Sequence, residues 1–301
     1  MAGTISSARP QLRQDHGDIA VRRGADDVPV DQRPAPCAAP LPIADPLVGD
    51  IPAPPRPLAI RASKWMRRGL DRVIAASSLV PNTPVLDVRA FPWTQALRDN
   101  WHAIRDEAVE VALAGQASPS LAAISPDHRR IAARGMWRSF FLWGHRERID
   151  ENAARCPVTS ALVGAIPGLN SAFFSILAPG TRIPAHRGLT KGLITCHLAL
   201  VVPRDGDARM RIADRVVRWA EGETLVFDDT YPHEVWNDTA GTRVVLLLQV
   251  ARPLRNPGRW IAERFVAAVR GSASVRHVRE NIAAWNAAVA QRDRRAARQP
   301  L

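Results

Sequence analysis

The fold is decided by the stretch from residue 224 to residue 250, which reads TLVFDDTYPHEVWNDTAGTRVVLLLQV. Three short apolar runs, at residues 224–227, 233–237 and 242–250, are separated by segments rich in Asp, Pro and Gly. Short apolar runs between such segments predict β-strands, because Pro and Gly favour turns and strands rarely exceed ten residues. The stretch therefore predicts three neighbouring strands.

The same pattern extends upstream of this stretch. Four further apolar runs separated by Pro, Gly and Asp predict strands at residues 172–177, 192–202, 209–212 and 216–219. An aromatic run, MWRSFFLW at residues 136–143, predicts another buried strand. Many short strands at close spacing indicate a mainly β domain, a double-sheet jelly roll.

Helices are predicted on both sides of the strands. Apolar residues recur at steps of three and four, the helical period, at residues 94–113, and further helices are predicted at 63–79, 257–270 and 274–292. Residues 1–58 are rich in proline and lack aromatic residues, so we expect them to be disordered. Three regions follow: a disordered segment at 1–58, a domain with N-terminal helices at 59–255, and C-terminal helices with a basic tail at 256–301.

Composition limits the partners and the compartment. The net charge of +12 comes from scattered arginines, so we do not expect a nucleic acid partner. No apolar run is long enough to span a bilayer, and no signal peptide precedes the domain, which predicts a cytoplasmic protein. The basic helix at 63–79 leaves a peripheral contact with an anionic inner membrane as an alternative.

Two histidines stand out as candidate metal ligands: His186 follows a turn at Pro184, and His233 opens a predicted strand. Two imidazoles on one face are typical of Fe(II) sites, which usually add a carboxylate. Many enzymes of this kind carry that carboxylate two residues after the first histidine, where this chain has Gly188. For each histidine taken alone, the alternative to metal binding is a purely structural role.

Arg243 adds a third component to the candidate site. It is the only charge in the run TRVVLLL at residues 242–248. A guanidinium that points into the domain needs an anionic partner, and a dicarboxylate such as 2-oxoglutarate would supply one. The alternative is an arginine at a sheet edge that faces solvent.

The chain resembles the aspartyl/asparaginyl β-hydroxylase family, which includes bacterial lipid A hydroxylases, over residues 80–255. The similar segments are FSILAPG at 174–180, HRG at 186–188, HLALVVP at 197–203, WAEGE at 219–223, FDDTYPHEVWND at 227–238, Arg243, and upstream FPW at 91–93, DNW at 99–101 and IRDE at 104–107.

The resemblance implies a double-stranded β-helix, the cupin-like jelly roll, that uses Fe(II), 2-oxoglutarate and O2. His186 and His233 would be the iron ligands, and Ser175, His197 and Arg243 would hold 2-oxoglutarate. Family members with glycine at the Gly188 position bind iron through two histidines and no protein carboxylate.

The chain departs from the family at Thr195, where an arginine is common. Lys191 and Arg187 are nearby cations that could compensate, although we expect them to be solvated. Asp228 and Asp229 could supply a carboxylate near iron, but we assign them to the turn and to contacts that support the metal ligands without binding the metal.

The leading hypothesis is a dioxygenase that hydroxylates an aspartyl- or asparaginyl-type side chain, free, carrier-bound or in a peptide. The expected partner is therefore a small molecule or peptide with an acidic group. One alternative is a lipid A acyl-chain hydroxylase at the inner membrane surface. Another is a non-catalytic jelly-roll module that binds an acidic ligand, an idea that Thr195 supports.

Overall fold

A computed structural model describes residues 58–113, 118–125, 128, 131–132 and 135–296; side chains are described from Arg67 onward. The predicted disordered segment, apart from Leu58, and the end of the basic tail lie outside these residues. None of the helices within the described ranges is both long enough and apolar enough to cross a membrane.

The described residues form eight α-helices, one short 3-10 helix and eleven β-strands. The helices are α1 Leu58–Ala76, α2 Thr94–Asp99, α3 Trp101–Leu113, α4 Leu121–Ile124, α5 Asp150–Arg155, α6 Pro157–Gly164, α7 Gly258–Arg270 and α8 Ala273–Ala296, with the 3-10 helix at Val88–Ala90. The strands are β1 Val85–Leu86, β2 Trp137–Gly144, β3 Glu147–Arg148, β4 Leu169–Leu177, β5 Thr181–His186, β6 Leu193–Val201, β7 Asp207–Ile212, β8 Arg215–Arg218, β9 Thr224–Phe227, β10 His233–Asp238 and β11 Arg243–Ala251.

The strands build two antiparallel sheets that pack as a jelly roll, as the sequence predicts. The larger sheet has the order β1-β9-β6-β11-β4-β2-β3, and the smaller has the order β5-β10-β7-β8. Strands adjacent in the sheets are distant in the chain, since β11 lies between β4 and β6. This topology brings residues from β4, β6, β10 and β11 into one interior.

Successive side chains on the strands of the larger sheet pack into two different cores, one on each face of the sheet. On β11, Val244 and Leu246 pack outward with Ile104 of α3, whereas Val245 points inward toward Met210 of the smaller sheet. The period of two places successive residues on opposite faces of a sheet. Polar residues at inward positions therefore lie inside the barrel, where apolar neighbours surround them.

Seven strands predicted at residues 172–250 and the aromatic strand are confirmed, with small shifts at their ends. Strand β5 is missing from the prediction because Pro184 argues against a strand. Pro184 is tolerated because β5 is the edge strand of the smaller sheet, where a missing N–H removes no hydrogen bond between strands.

The predicted helix at 94–113 is wrong as a single element. It breaks at Asn100, which leaves the helical region at φ −111°, ψ 15°, and its amide donates to the Ala96 carbonyl at 2.8 Å. Asn side chains compete with helical backbone bonds in this way. The first helix spans Leu58–Ala76 rather than 63–79.

The two C-terminal helices pack on the jelly roll. The methyl group of Ala262 on α7 lies so near Gly192, at the start of β6, that a Cβ there would be 2.7 Å from it. Ile282 of α8 joins the interior cluster together with Leu121 and Ile124 of α4. Helix α7 therefore lies across the end of the barrel where β6 begins and β11 ends.

Candidate active site

His186 and His233 face each other on neighbouring strands. They are register partners in the β5–β10 pair, and the centroids of their rings are 4.1 Å apart. The register shifts between His233 and Val235, an irregularity that re-aims side chains at a strand end. The two predicted iron ligands are thus adjacent, as a shared metal ion requires.

Both imidazoles are held in one tautomer by backbone carbonyls. His186 Nδ1 donates to the Pro184 carbonyl at 2.9 Å, and His233 Nδ1 donates to the Tyr231 carbonyl at 3.0 Å. Because a carbonyl only accepts, each Nε2 is the unprotonated nitrogen, the form that binds metals. Burial lowers the pKa of both rings, and the pKa of His186, further lowered by His233, falls to about 4.

Arg243 points into the barrel and is 1% exposed, so the alternative of an edge arginine facing solvent is wrong. The described residues give it no salt bridge. Its guanidinium lies 4.7 Å from the ring centre of Trp219, and Nη1 makes a long 3.5 Å contact with the Ser175 carbonyl. Burial lowers the pKa of Arg243 to about 9, so it remains charged at neutral pH.

His197 lies inside the barrel between Arg243 and the histidine pair. Neither ring nitrogen has a hydrogen-bond partner among the described residues. Burial and the charge of Arg243 lower its pKa. Trp219, whose indole N–H is also unpaired, stacks 6.0 Å from it. A buried group of unpaired donors indicates space for a polar ligand.

Ser175 completes this group on the adjacent strand β4. Its hydroxyl oxygen accepts a 3.0 Å hydrogen bond from the indole of Trp137, which leaves the hydroxyl proton to donate. Ser175 is fully buried near Arg243. The structure therefore brings all five predicted residues into one interior, and their roles stay predictions.

Asp229 occupies the space beside Gly188. A Cβ placed on Gly188 would overlap the Asp229 carboxylate, and the Gly188 N–H donates to the Asp229 carbonyl at 2.6 Å. The two segments approach so closely that residue 188 must be glycine while Asp229 keeps this position. The space of the missing carboxylate ligand is thus filled by a carboxylate from another segment.

Thr195 and Gln249 hold Asp229 from the sheet. The Thr195 hydroxyl donates to Oδ2 at 3.1 Å and the Gln249 amide at 3.4 Å, while Oδ1 has no partner among the residues described. No cation pairs directly with this carboxylate within the described structure. Burial raises the pKa of Asp229 to about 6.

Lys191 and Arg187, the two cations that could compensate for the arginine absent at residue 195, contact other groups. Lys191 pairs with Asp228 at 2.7 Å and lies over Tyr231, so the expected solvated role is wrong for it. Arg187 is exposed and donates to the Thr230 carbonyl. Asp228 also pairs with the buried Arg252 and accepts from Thr230, which agrees with the turn role.

The donor set suits a metal with few protein ligands. Within the described ranges, no group of three His, Cys, Asp or Glu residues could hold a metal ion. Two neutral imidazoles remain, and two nitrogen ligands leave several positions of an octahedral ion open for other groups. The residues therefore fit Fe(II) held by His186 and His233 without a protein carboxylate.

Trp219, Trp137 and Gln249 were not assigned roles from the sequence. Gln249 is six residues after Arg243, so the strand period of two alone places both on the inner face. That signal could have identified it. The contacts of the two indoles join segments far apart in the chain, and no local pattern predicts them.

Replacing Asp229 with Asn is expected to stabilise the metal-free protein at pH 7.5 by roughly 2 kcal/mol, somewhat less than the pKa shift implies. The raised pKa means that the folded state resists ionisation, so the carboxyl destabilises it above about pH 6 and has no effect below the ordinary pKa of 3.8. Urea unfolding in EDTA at pH 7.5 and pH 4 measures the gain, which should vanish at pH 4.

Asp228→Asn is the matched control for this prediction. It leaves the buried Arg252 without its carboxylate, so we expect a loss of roughly 3 kcal/mol at pH 7.5. Equal effects of the two substitutions would show that burial of an unpaired charge at Asp229 is not the cause.

Comparison with known proteins identifies relatives of the chain. The model of the aspartyl/asparaginyl beta-hydroxylase family matches residues 98–253. The ornithine lipid ester-linked acyl 2-hydroxylase of Rhizobium tropici is 41% identical over 60% of this chain and 64% of its own length. The human aspartyl/asparaginyl beta-hydroxylase is 32% identical over 65% of this chain and 27% of its own length. The chain thus spans less than two thirds of either relative.

The chain is also similar to a solved cupin domain. The cupin domain of Schizosaccharomyces pombe Cnp3 superposes with a TM-score of 0.27 and 9% identity, over 38% of this chain and 65% of that domain. The assignment of the jelly roll rests on the strand order described above and not on this superposition.

Proposed function

Because the chain belongs to the aspartyl/asparaginyl β-hydroxylase family, we propose that it is an Fe(II)- and 2-oxoglutarate-dependent hydroxylase. The observation that carries the proposal is Arg243, a fully buried guanidinium without a carboxylate partner in the described structure. A buried charge of this kind is costly unless an anion joins it. The far carboxylate of 2-oxoglutarate would be that anion.

The neighbours of Arg243 support the same ligand. Ser175 has a hydroxyl proton to donate, and His197 has two ring nitrogens without partners. Trp219 covers one face of the guanidinium and keeps water from it. A dicarboxylate that enters this interior would satisfy groups that are otherwise buried and unpaired.

Each residue would contribute positioning and charge. His186 and His233 would hold Fe(II), which supplies the capacity to activate O2 when 2-oxoglutarate is present. The carbonyls of Pro184 and Tyr231 fix the tautomer of these ligands. Arg243 and Ser175 would orient 2-oxoglutarate, while the apolar interior, including Phe227 and Val245, excludes water.

For the substrate we propose the acyl chain of a lipid, hydroxylated close to its ester carbonyl, as the name of the Rhizobium tropici relative describes for that protein. Asp229 is buried beside the histidine pair, and Thr195 stands where an arginine is common in the family. Asp229 has no cation partner among the described residues, so it repels an acidic substrate. The carboxylate of such a substrate would be buried beside a like charge without an opposite charge to offset the cost. An apolar chain meets no such penalty.

An aspartyl or asparaginyl side chain is the second candidate substrate. The match to the family model and the similarity to the human relative favour it. Arg187 is exposed near the histidine pair and could meet an acidic group at the surface. A non-catalytic binding module for an acidic ligand is the third possibility.

Succinate formation from 2-oxoglutarate separates these candidates. We expect the protein with Fe(II) and O2 to form succinate above its uncoupled rate with acylated lipids, and not with aspartyl peptides or free aspartate. Stimulation by aspartyl substrates alone would favour the second candidate. Under anaerobic conditions Fe(II) and 2-oxoglutarate should give a visible charge-transfer band, and its absence would favour the binding module.

A further inference from the structure

The large apolar side chains that remain exposed are concentrated in one part of the molecule. Among the described side chains, four of the seven that are more than a third exposed lie in residues 67–79, 187–192 and 255–270. The four are Val73, Leu79, Leu189 and Trp260. Leu79 and Trp260 are the most exposed of the seven, at 63% and 58%. Clusters of exposed apolar side chains mark surfaces that contact proteins or membranes.

These three segments are in direct contact with one another. Ile74 of α1 packs in one apolar cluster with Ala262 of α7. Asp71 of α1 accepts a 3.0 Å hydrogen bond from the backbone N–H of Lys191, in the loop between β5 and β6. The exposed side chains of residues 67–79, 187–192 and 255–270 therefore belong to one region of the surface, which we call the basic face.

The outward side of α7 combines an indole with a guanidinium. Gly258 lies against α1 and Ala262 lies against Gly192 beside β6, so Trp260, two residues from each, lies on the opposite side of the helix. The guanidinium of Arg264 is 5.5 Å from the ring centre of Trp260. Trp260 is the only exposed tryptophan among those whose side chains the structure describes. An exposed indole beside a cation is typical of the interface between a membrane and water.

The basic face carries an excess of positive charge. Its exposed arginines are Arg68, Arg72, Arg187, Arg255, Arg259 and Arg264. Its acidic residues are Asp71, which is bonded to the loop, and Glu263, which pairs with Arg259 at 3.0 Å. Anionic lipid headgroups complement such a surface, because each arginine near a membrane adds to the attraction.

The basic face also borders the candidate active site. Its loop begins directly after His186, and the guanidinium of Arg187 donates to the Thr230 carbonyl at 2.8 Å. Leu189 is exposed, and it follows Gly188, whose N–H donates to the Asp229 carbonyl. A membrane that contacts this face would therefore hold its lipids beside the strand end that carries His186.

We infer that the basic face docks the protein on an anionic membrane surface, with Trp260 and Leu79 among the headgroups and the arginines paired with lipid phosphates. The inference deepens the proposed function and rests on it in one respect, since the lipid to be hydroxylated would be taken from this membrane. It also extends beyond α1, the helix whose sequence alone leaves a membrane contact open. Helix α7 supplies the tryptophan, and the loop supplies the connection to His186.

Flotation of the metal-free full chain with lipid vesicles measures docking without turnover. We expect binding to vesicles of phosphatidylcholine mixed with phosphatidylglycerol, and much weaker binding to phosphatidylcholine alone. Arg264→Glu should weaken binding to the mixed vesicles about tenfold or more, because one arginine near an anionic membrane contributes about fivefold and the introduced carboxylate is repelled. Added salt should weaken binding of the wild type, because it screens the attraction.

Arg215→Glu is the matched control for charge. It changes the net charge equally, but on β8, at the edge of the smaller sheet opposite to β5, so we expect wild-type binding. Trp260→Phe tests the position of the indole. Brominated phospholipids should quench part of the tryptophan fluorescence of the wild type, and that part should be absent from Trp260→Phe. Thermal unfolding checks that each variant, altered only at an exposed side chain, is folded.

Three kinds of result would overturn the inference. One is an equal loss of vesicle binding in Arg264→Glu and Arg215→Glu. Another is equal quenching by brominated lipids in the wild type and Trp260→Phe. The third is evidence for a different partner: displacement from vesicles by double-stranded DNA without quenching of Trp260, or a dimer in size-exclusion chromatography that Arg264→Glu dissociates.

These outcomes can be told apart from failure of the proposed function. Succinate formation with detergent-dispersed acyl lipids, but no binding to vesicles, would reject the docking face and keep the function. Vesicle binding that depends on Arg264 and Trp260, without succinate formation from any acyl lipid, would keep the docking face and reject the function.

Discussion

Arg243→Ala is expected to raise the 2-oxoglutarate concentration for half-maximal succinate formation about 100-fold or more. Arg243 is the buried cation that would pair with the far carboxylate, and removal of one partner of a buried charge pair costs about 3 kcal/mol. The same substitution should stabilise the protein without 2-oxoglutarate, since burial lowers the pKa of Arg243 and none of the described residues gives its charge a carboxylate partner. Opposite changes in stability and affinity distinguish a binding role from a structural one.

Two control variants make the result specific. Arg243→Lys keeps the charge but loses the two-pronged geometry, so we expect a smaller increase, of about tenfold. Arg215→Ala removes an exposed arginine from β8 and should change nothing. An unchanged 2-oxoglutarate requirement in Arg243→Ala would remove this residue from the proposed clamp.

His186→Ala is expected to weaken Fe(II) binding at least 100-fold and to abolish the charge-transfer band at ordinary iron concentrations. A site with two protein ligands has no third one to retain the ion, and the described residues offer no further donor cluster. Anaerobic titration with Mn(II), followed by calorimetry, measures the affinity without turnover. Burial disfavours the protonated form of the His186 ring, so this histidine destabilises the folded protein as the pH falls below 6.5, its ordinary pKa. The metal-free His186→Ala variant should therefore be no less stable than the wild type below pH 6.5.

His277→Ala is the matched control for this ligand. His277 lies on α8 with a side chain that is 68% exposed, so its removal should leave metal binding unchanged. A His186→Ala protein that binds Mn(II) like the wild type would show that the paired histidines are structural residues.

Local patterns in the sequence were sufficient for the jelly roll, but they left open whether Arg243 points inward or faces solvent at a sheet edge. A single charge within an apolar strand has one interpretation once the strand is known to be central, and β11 lies between β4 and β6. The pairing of His186 with His233 required more, because β5 carries Pro184 and has no clear strand pattern. The motif of a resembling family supplied it.

Other parts of the site depend on contacts that no local pattern contains. The approach of Asp229 to Gly188 joins two loops that meet only when β5 and β10 pair. Such contacts follow from packing between distant segments, and a single sequence does not reveal them.

The contact between Gly188 and Asp229 also constrains how this site can change during evolution. Any side chain at residue 188 would collide with the Asp229 carboxylate. A lineage could therefore gain a carboxylate at position 188 only if position 229 became smaller or the Asp229 side chain rotated away from Thr195 and Gln249. The two positions should covary among homologues, and intermediates that carry both carboxylates should be rare.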